Sequence, residues 1–451
     1  MARVIIVRHG QSTYNQVKRI QGRTDVSRLT PKGCDDARKV GKALQNISVD
    51  AMHHSPLGRA KETANIIYQE LRSSSDLSCK PQASEKLKEI HLPAWEGLLS
   101  AEAQQKFPQD YRIWQETPHK LSMFLEEEGV TKEYFPVLAL YEQARLFWQD
   151  ILSLHPLDTV LIVAHNGINR ALISTALGID PRYYQSIQQS NCCINILNFS
   201  GGLSESVELE SLNQTQHMGD LLPPLRPNHQ GVRLLLVRHG ETEWNLQKRF
   251  QGATDISLNE NGKQQSEKIA NFLKEVSLDF ATSSPLKRSV ETAEMILQYH
   301  SEIELKLQEG LQEVNHGLWQ GKTETEVEEE FPAIIQCWRN HPQKVQMPNG
   351  ENLEQVWERI QRVWQNLIEN ATSSEDKLIG LVVAHGAINK ALICHILGLS
   401  PESFWNFRQS NGSISVIDYP SGMNGLPVLQ GMNITAYLNE SVLDTTSPGA
   451  S

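Results

Sequence analysis

One pattern occurs twice in this chain and decides most of what it can fold into. An apolar run closes on Arg-His-Gly at Val4-Ile5-Ile6-Val7-Arg8-His9-Gly10, and again at Leu234-Leu235-Leu236-Val237-Arg238-His239-Gly240. A hydroxyl residue follows each glycine by two positions (Ser12, Thr242) and an asparagine by five (Asn15, Asn245). Arginine and histidine at the end of a buried strand are costly to desolvate without partners. Two such strand ends point to two copies of a site that binds an anion and attacks it. A chain of 451 residues suits two domains of about 200 residues each.

The repeat extends well beyond the opening motif. Arg19-Ile20-Gln21-Gly22 matches Arg249-Phe250-Gln251-Gly252, and Leu29 to Gly33 matches Leu258 to Gly262. Thr30 and Asn259 are good helix N-caps, and Pro31 suits a first turn, so amphipathic helices are expected to about Gln45 and Lys274. Ser55-Pro56-Leu57-Gly58-Arg59 matches Ser284-Pro285-Leu286-Lys287-Arg288, each leading into a helix with Glu-Thr-Ala. Val160 to His165 matches Leu381 to His385, short β-rich runs stopped by histidine, with helices expected from Asn169 and Asn389. Strands alternating with helices predict α/β domains with mostly parallel sheets. Ligands bind such sheets at the carboxyl ends of strands, so His9 should meet His165, and His239 should meet His385. The expected layout is a first domain over 1–211, a linker over 212–231 with Pro223, Pro224 and Pro227, a second domain over 232–438, and a frayed tail over 439–451.

Composition narrows the partners. Charged residues at 21% and hydrophobic residues at 39% are ordinary for a globular protein. A net charge of −11, most of it in the second half, argues against nucleic acid. An anion must therefore be met by a local positive pocket. No apolar stretch reaches the roughly 20 residues of a membrane span, and no leader precedes the strand at Arg3, so a cytoplasmic enzyme is expected. Six cysteines without a CxxC pair read as buried free thiols, and no metal site is expected.

Attack on a phosphate monoester has definite needs. A neutral imidazole can serve as the nucleophile. Forked guanidinium groups hold phosphoryl oxygens best. The leaving alcohol needs a proton. The first half offers His9, Arg8, Arg59 and His165, and the second offers His239, Arg238, Arg288 and His385. Glu89 and Glu313, each shortly before a Trp-x-Gly, are the candidate acids, although Glu85, Glu96 and Glu309 lie near them. Fixed cations make a metal optional, and no cofactor is expected. Trp95, Trp114, Trp319 and Trp338 read as packing residues.

These motifs in combination resemble the histidine phosphatase superfamily, the group of phosphoglycerate mutases and related phosphatases. The resemblance covers nearly the whole chain and implies two tandem phosphoglycerate mutase-like three-layer α/β/α domains. It implies that His9 and His239 become phosphohistidines, and that Arg8, Arg59 and His165, with Arg238, Arg288 and His385, clamp the phosphate. Asn15 and Asn245 would contact it, and Glu89 and Glu313 would donate the proton. The first half is similar to plant-type sugar-acid phosphatases of that superfamily through Arg8 to Thr13, Ala164-His165-Asn166, Gln189 to Cys192 and Leu212 to Thr215. The second half resembles stand-alone broad-specificity phosphatases, including the α-ribazole phosphatase group, whose substrate-side loop is similar to Pro348-Asn349-Gly350-Glu351-Asn352. The two sites are thus expected to prefer different small phosphate esters. A mutase is the alternative, but the segments after Glu89 and Glu313 lack the Glu-Arg-His-Tyr-Gly pattern of superfamily mutases. Monomer and homodimer are both compatible with a tandem chain.

Overall fold

A computed structural model describes residues 1–74, 79–127, 129–226, 229–372, 377–422, 425–439 and 441. The chain divides into two compact units, Met1–Pro223 and Pro224–Ser451. Nearly all of the expected tail lies outside the described residues.

The first unit is built around β1 (Ala2–Arg8), where Val4 to Val7 are fully buried. Each such side chain gains about 1.5–3 kcal/mol from leaving water, which favours the centre of a sheet over its edge. The other strands are β2 (Ala51–His54), β3 (Gln82–Ala83), β4 (Met123–Glu127), β5 (Val130–Tyr134), β6 (Thr159–Ala164), β7 (Ile194–Phe199) and β8 (Val207–Gln214). The main sheet runs β3-β2-β6-β1-β7-β8, and β4 and β5 form a separate hairpin. The pairs β3/β2, β2/β6 and β6/β1 are parallel, while β7 and β8 run antiparallel to their neighbours. Arg8 stands opposite Ala164 in the β1/β6 register, so the residues that follow both strands emerge side by side.

The second unit repeats this plan. It contains β9 (Arg233–Arg238), β10 (Phe280–Ser283), β11 (Leu305–Leu307), β12 (Ile379–Ala384), β13 (Ile414–Asp418) and β14 (Val428–Ile434), in the order β11-β10-β12-β9-β13-β14. Arg238 stands opposite Ala384, the same register. Helices cover both faces of the sheets, as the sequence pattern predicts. Helix Pro31–Ala43 packs on Gly58–Ser74, and helix Pro136–Leu154 on Asn166–Leu177.

Close backbone approach fixes the loop after β1. Thr30 caps helix Pro31–Ala43 by accepting from Gly33 N–H at 3.1 Å. A Cβ on Gly10 would overlap the Gly33 carbonyl, and one on Gly33 would overlap the Gln11 backbone. Only glycine at both positions lets the loop lie flat on the helix start. Gly240 and Gly262 repeat the arrangement, with Asn259 as the cap.

Several boundaries differ from the sequence reading. β8 runs on to Gln214, inside the segment expected as linker, because its residues are buried to the strand's end. Helices begin at Asn166 and Gly386 directly after the histidines, three residues earlier than expected, with His165 and His385 as N-caps. Cys192, Cys193 and Cys394 are buried free thiols, but Cys34, Cys79 and Cys337 are half-exposed. Among the described residues no helix is long and apolar enough to cross a membrane.

Candidate active site

Strand register brings the two histidines of each unit together. The His9 and His165 rings lie 5.1 Å apart, and those of His239 and His385 also 5.1 Å. His9 Nδ1 lies 2.7 Å from the Gly10 carbonyl oxygen, and His239 Nδ1 2.7 Å from that of Gly240. A carbonyl can only accept, so Nδ1 carries the proton and Nε2 of the neutral ring keeps a lone pair. Burial pushes the His9 and His239 pKa values well below the usual histidine value. Arg59 and Arg8, and likewise Arg288 and Arg238, push them further down. Both imidazoles are neutral at neutral pH.

The arginines are aimed by backbone carbonyls. Arg59 donates from Nη1 to Thr24 O at 3.0 Å and from Nη2 to Gly22 O at 2.9 Å. Arg288 repeats this with Thr254 O and Gly252 O, both at 2.8 Å, and its Nε donates to His239 Nε2 at 3.3 Å. Arg8 and Arg238 each donate Nη1 to the carbonyl of Gln189 or Gln409. Burial lowers the pKa of Arg59 and of Arg288 to about 10, so both stay cationic at neutral pH. The buried Nε atoms of Arg8 and Arg59 have no hydrogen-bond partner among the described residues. An anion between them would supply one.

His165 and His385 are buried and held neutral in the same way, by burial first and the neighbouring arginine second. His165 Nε2 lies 2.7 Å from Ser55 Oγ, and His385 Nε2 2.7 Å from Ser284 Oγ. Each serine oxygen already accepts a long backbone bond, from Leu57 or Leu286 N–H, leaving its own proton free to donate to the imidazole. That places the histidine proton on Nδ1, which has no partner among the described residues.

Glu89 sits at the start of helix Asn166–Leu177. Its Oε2 accepts from Gly167 N–H at 3.1 Å, and its Oε1 from Ile168 N–H at 3.1 Å and Ile90 N–H at 2.9 Å. Glu313 accepts from Ala387 N–H at 3.3 Å and Val314 N–H at 3.0 Å. Of the competing carboxylates, Glu96 is turned to Arg23 N–H and Thr24 Oγ1, and Glu85 pairs with Lys88. Asn15 takes part indirectly: its Oδ1 accepts from Ser12 N–H and from Asn191 Nδ2, and Asn191 also donates to His9 O. Asn245 and Asn411 repeat the set.

The sequence reading placed Ser55, Thr63 and Asn191, with Ser284 and Thr292, inside matched motifs but gave them no role, and it did not name Asn411. Thr63 Oγ1 accepts from Gly10 N–H at 3.1 Å and Thr292 Oγ1 from Gly240 N–H at 3.1 Å. The available signal was their identity at matching positions of the two halves.

The cavities beside the two sites differ. The first measures about 200 Å³, and its walls include Arg8, Asn15, Glu89, Trp95, Trp114 and Arg170. The second measures about 10 Å³, room for about one water molecule. The aromatic rings of Phe250 and His316 stand where the first unit has the aliphatic Ile20 and Leu92. Their rings lie 5.2 Å apart and pack on Trp319. Trp95 and Trp114 therefore wall a cavity as well as packing. The Pro348–Asn352 loop packs on the backbone of the segment that follows Glu313. Glu351 N–H bonds Asn315 O, Leu318 N–H bonds Pro348 O, and Glu351 pairs with Arg359.

The model of the histidine phosphatase superfamily, branch 1, matches residues 4–212 and 234–434. A 2-carboxy-D-arabinitol-1-phosphatase of Triticum aestivum is 31% identical over 97% of this chain and 86% of its own length. Phosphoserine phosphatase 1 of Hydrogenobacter thermophilus is 35% identical over 46% of this chain and 95% of its own. Among solved structures, the alpha-ribazole phosphatase of Shigella flexneri is 27% identical, covering 45% of this chain and 96% of its own, with a TM-score of 0.41.

Proposed function

Because the chain belongs to the histidine phosphatase superfamily and is a phosphoric monoester hydrolase, we propose that each unit works through a phosphohistidine, on His9 in the first and His239 in the second. The observation that carries this reading is the Nδ1–H bond to the following glycine carbonyl, which leaves Nε2 as the nucleophile in both units. Nε2 attacks phosphorus, forming a P–N bond as the ester P–O bond breaks. Arg8, Arg59 and His165 hold the three phosphoryl oxygens, and Glu89 gives its proton to the departing alcohol. In the second step Glu89 takes a proton from water, whose oxygen attacks phosphorus and releases the imidazole. Arg238, Arg288, His385 and Glu313 do the same in the second unit. Asn15 and Asn245 act at the pocket wall, through the loops they brace. No step requires a metal or cofactor.

For the first unit the substrate is a sugar-acid phosphate of the 2-carboxy-D-arabinitol 1-phosphate kind, supported by the wheat relative's similarity along both units. The smaller space beside His239 favours a different monoester for the second unit. The test is phosphate release from a panel of phosphorylated sugars and sugar acids with EDTA present, for wild type and the His9→Ala, His239→Ala double variant. Wild type should release phosphate, be blocked by vanadate, and carry a label from the substrate phosphate that acid removes and alkali spares. The double variant should release no phosphate and carry no label. Activity lost on chelation, or full activity in the double variant, would overturn the reading.

A further inference from the structure

Arg170 has no role in the chemistry above, yet its side chain is buried and incompletely partnered. It is only 6% exposed. Burial lowers its pKa, with the nearby Tyr184 and Glu89 opposing. Among the described residues its Nε has no hydrogen-bond partner and no carboxylate forms an ion pair with it. Its one close contact of note is the Tyr184 ring, whose centroid lies 5.6 Å from the guanidinium carbon. A guanidinium donor that is buried and unanswered, as this Nε–H is, forfeits the solvation it had in water.

The side chain forms part of the wall of the first cavity, together with Arg8, Glu89, Asn166 and Gly167. Asn166, Gly167 and Arg170 occupy one face of helix Asn166–Leu177, spaced three and four residues apart. Arg170 thus lies roughly 4.5 Å along the helix from Gly167, whose N–H holds Glu89. Trp95 adds a second unanswered donor: it is 1% exposed, borders the same cavity, and its Nε1 has no partner among the described residues.

The second unit handles the same position differently. Lys390 occupies it, and its ammonium lies 4.4 Å from the Trp405 ring centroid and 5.3 Å from that of Phe404. It is not part of the wall of the cavity beside His239.

We propose that Arg170 is the anchor for a second oxyanion on the substrate of the first unit, a carboxylate or a second phosphate, held while the reacting phosphate sits between Arg8 and Arg59. This rests on the phosphatase reading above and adds a specificity that the second unit lacks. The planar fork favours a carboxylate, which it can meet with two parallel bonds.

The test uses the full chain carrying His239→Ala, so that only the first unit turns over. Three probes share the reacting group: 3-phosphoglycerate with a carboxylate, 1,3-propanediol bisphosphate with a second phosphate, and glycerol 3-phosphate with neither. Arg170→Gln should lower kcat/KM for the preferred probe with a second anionic group by about 10- to 100-fold, the range for one charge-assisted hydrogen bond or two. The loss should appear in KM, glycerol 3-phosphate should change by less than about twofold, and Arg170→Lys should recover part of the difference. Whichever of the first two probes responds identifies the anion. Equal losses on all three probes, or none, would overturn the proposal. Calorimetric binding of the same probes, with His9→Ala added, reads the preference without turnover. A binding preference that survives Arg170→Gln also overturns the proposal, whereas absent turnover with an Arg170-dependent preference counts only against the phosphatase reading.

Discussion

At the scale of single residues, the hydrogen bonds of the candidate site decide which nitrogen carries a proton. The Gly10 carbonyl does this for His9, and Ser55 does it for His165. Both rings are kept neutral by burial and adjacent arginines, so each has one proton to place. With Ser55 donating to Nε2, His165 presents Nδ1–H, the donor a phosphoryl oxygen needs. Ser55→Ala removes that bias and leaves Nε2 facing a methyl group. In a His239→Ala background this variant should lose about 10-fold in kcat/KM, the worth of one hydrogen bond, with the circular dichroism of the folded chain unchanged. Steady-state kinetics on any accepted monoester checks it, and a variant as fast as its parent would show that Ser55 does not set the proton. The histidines and arginines were legible in the sequence because chemistry names their types. Ser55, Thr63 and Asn191 were not, because serine, threonine and asparagine are common in loops and only their partners give them a task.

At the scale of elements, the site is a set of strand and helix ends whose positions follow from packing. Parallel pairing of β1 with β6 sets the two histidines side by side, and this much could be read from the apolar runs and their endings. The helix starts were read three residues late because the signal lies in the histidine cap, not in an ordinary Ser, Thr, Asp or Asn cap. That start matters, since the first N–H groups of helix Asn166–Leu177 hold Glu89. Gly167 leaves the room for it. A Cβ there would overlap Glu89 Oε1 and come within 2.7 Å of Tyr184 Oη. The second unit carries Ala387 at the matching place, where Phe404 has no hydroxyl and Glu313 bonds a single N–H of that helix. Gly167→Ala should therefore displace the carboxylate, a flexible side-chain end, and push back the Tyr184 hydroxyl. We expect kcat in the first unit to fall by about 100-fold, the low end of general acid catalysis, with the thermal midpoint moved by no more than about 2 °C. A large fall in midpoint would mean that the glycine serves the fold and not the acid.

At the scale of the whole chain, duplication supplies two complete sets of groups, and the question is whether both are used. Every residue that the first unit brings to its histidine pair has a counterpart in the second, down to the serine behind the second histidine. The walls did not stay alike. Ile20 and Leu92 border a cavity of about 200 Å³ beside the first site, whereas the cavity at His239 measures about 10 Å³, with His316 in its wall and Phe250 packed against that ring. Such a difference was not legible in the sequence, because a Leu-to-His exchange in a loop says nothing about space until Phe250, Trp319 and Trp338 are seen around it. Burial also keeps the His316 pKa near 4, so the ring stays neutral and adds no cation there. Matching side chains behind different walls predict, under the proposed mechanism, two substrate ranges. On a panel graded by size and charge, His9→Ala should abolish hydrolysis of the larger and carboxylate-bearing esters by more than about 1,000-fold, the scale of losing a nucleophile, and leave the smallest esters to the second unit. His239→Ala should give the converse loss. If His239→Ala changes no substrate while His9→Ala removes all, the second unit keeps its groups without turnover. In that case the walls, and not missing chemistry, are the reason, and the paired exchange Phe250→Ile with His316→Leu, which restores the first unit's aliphatic residues, should return measurable hydrolysis to the His9→Ala chain.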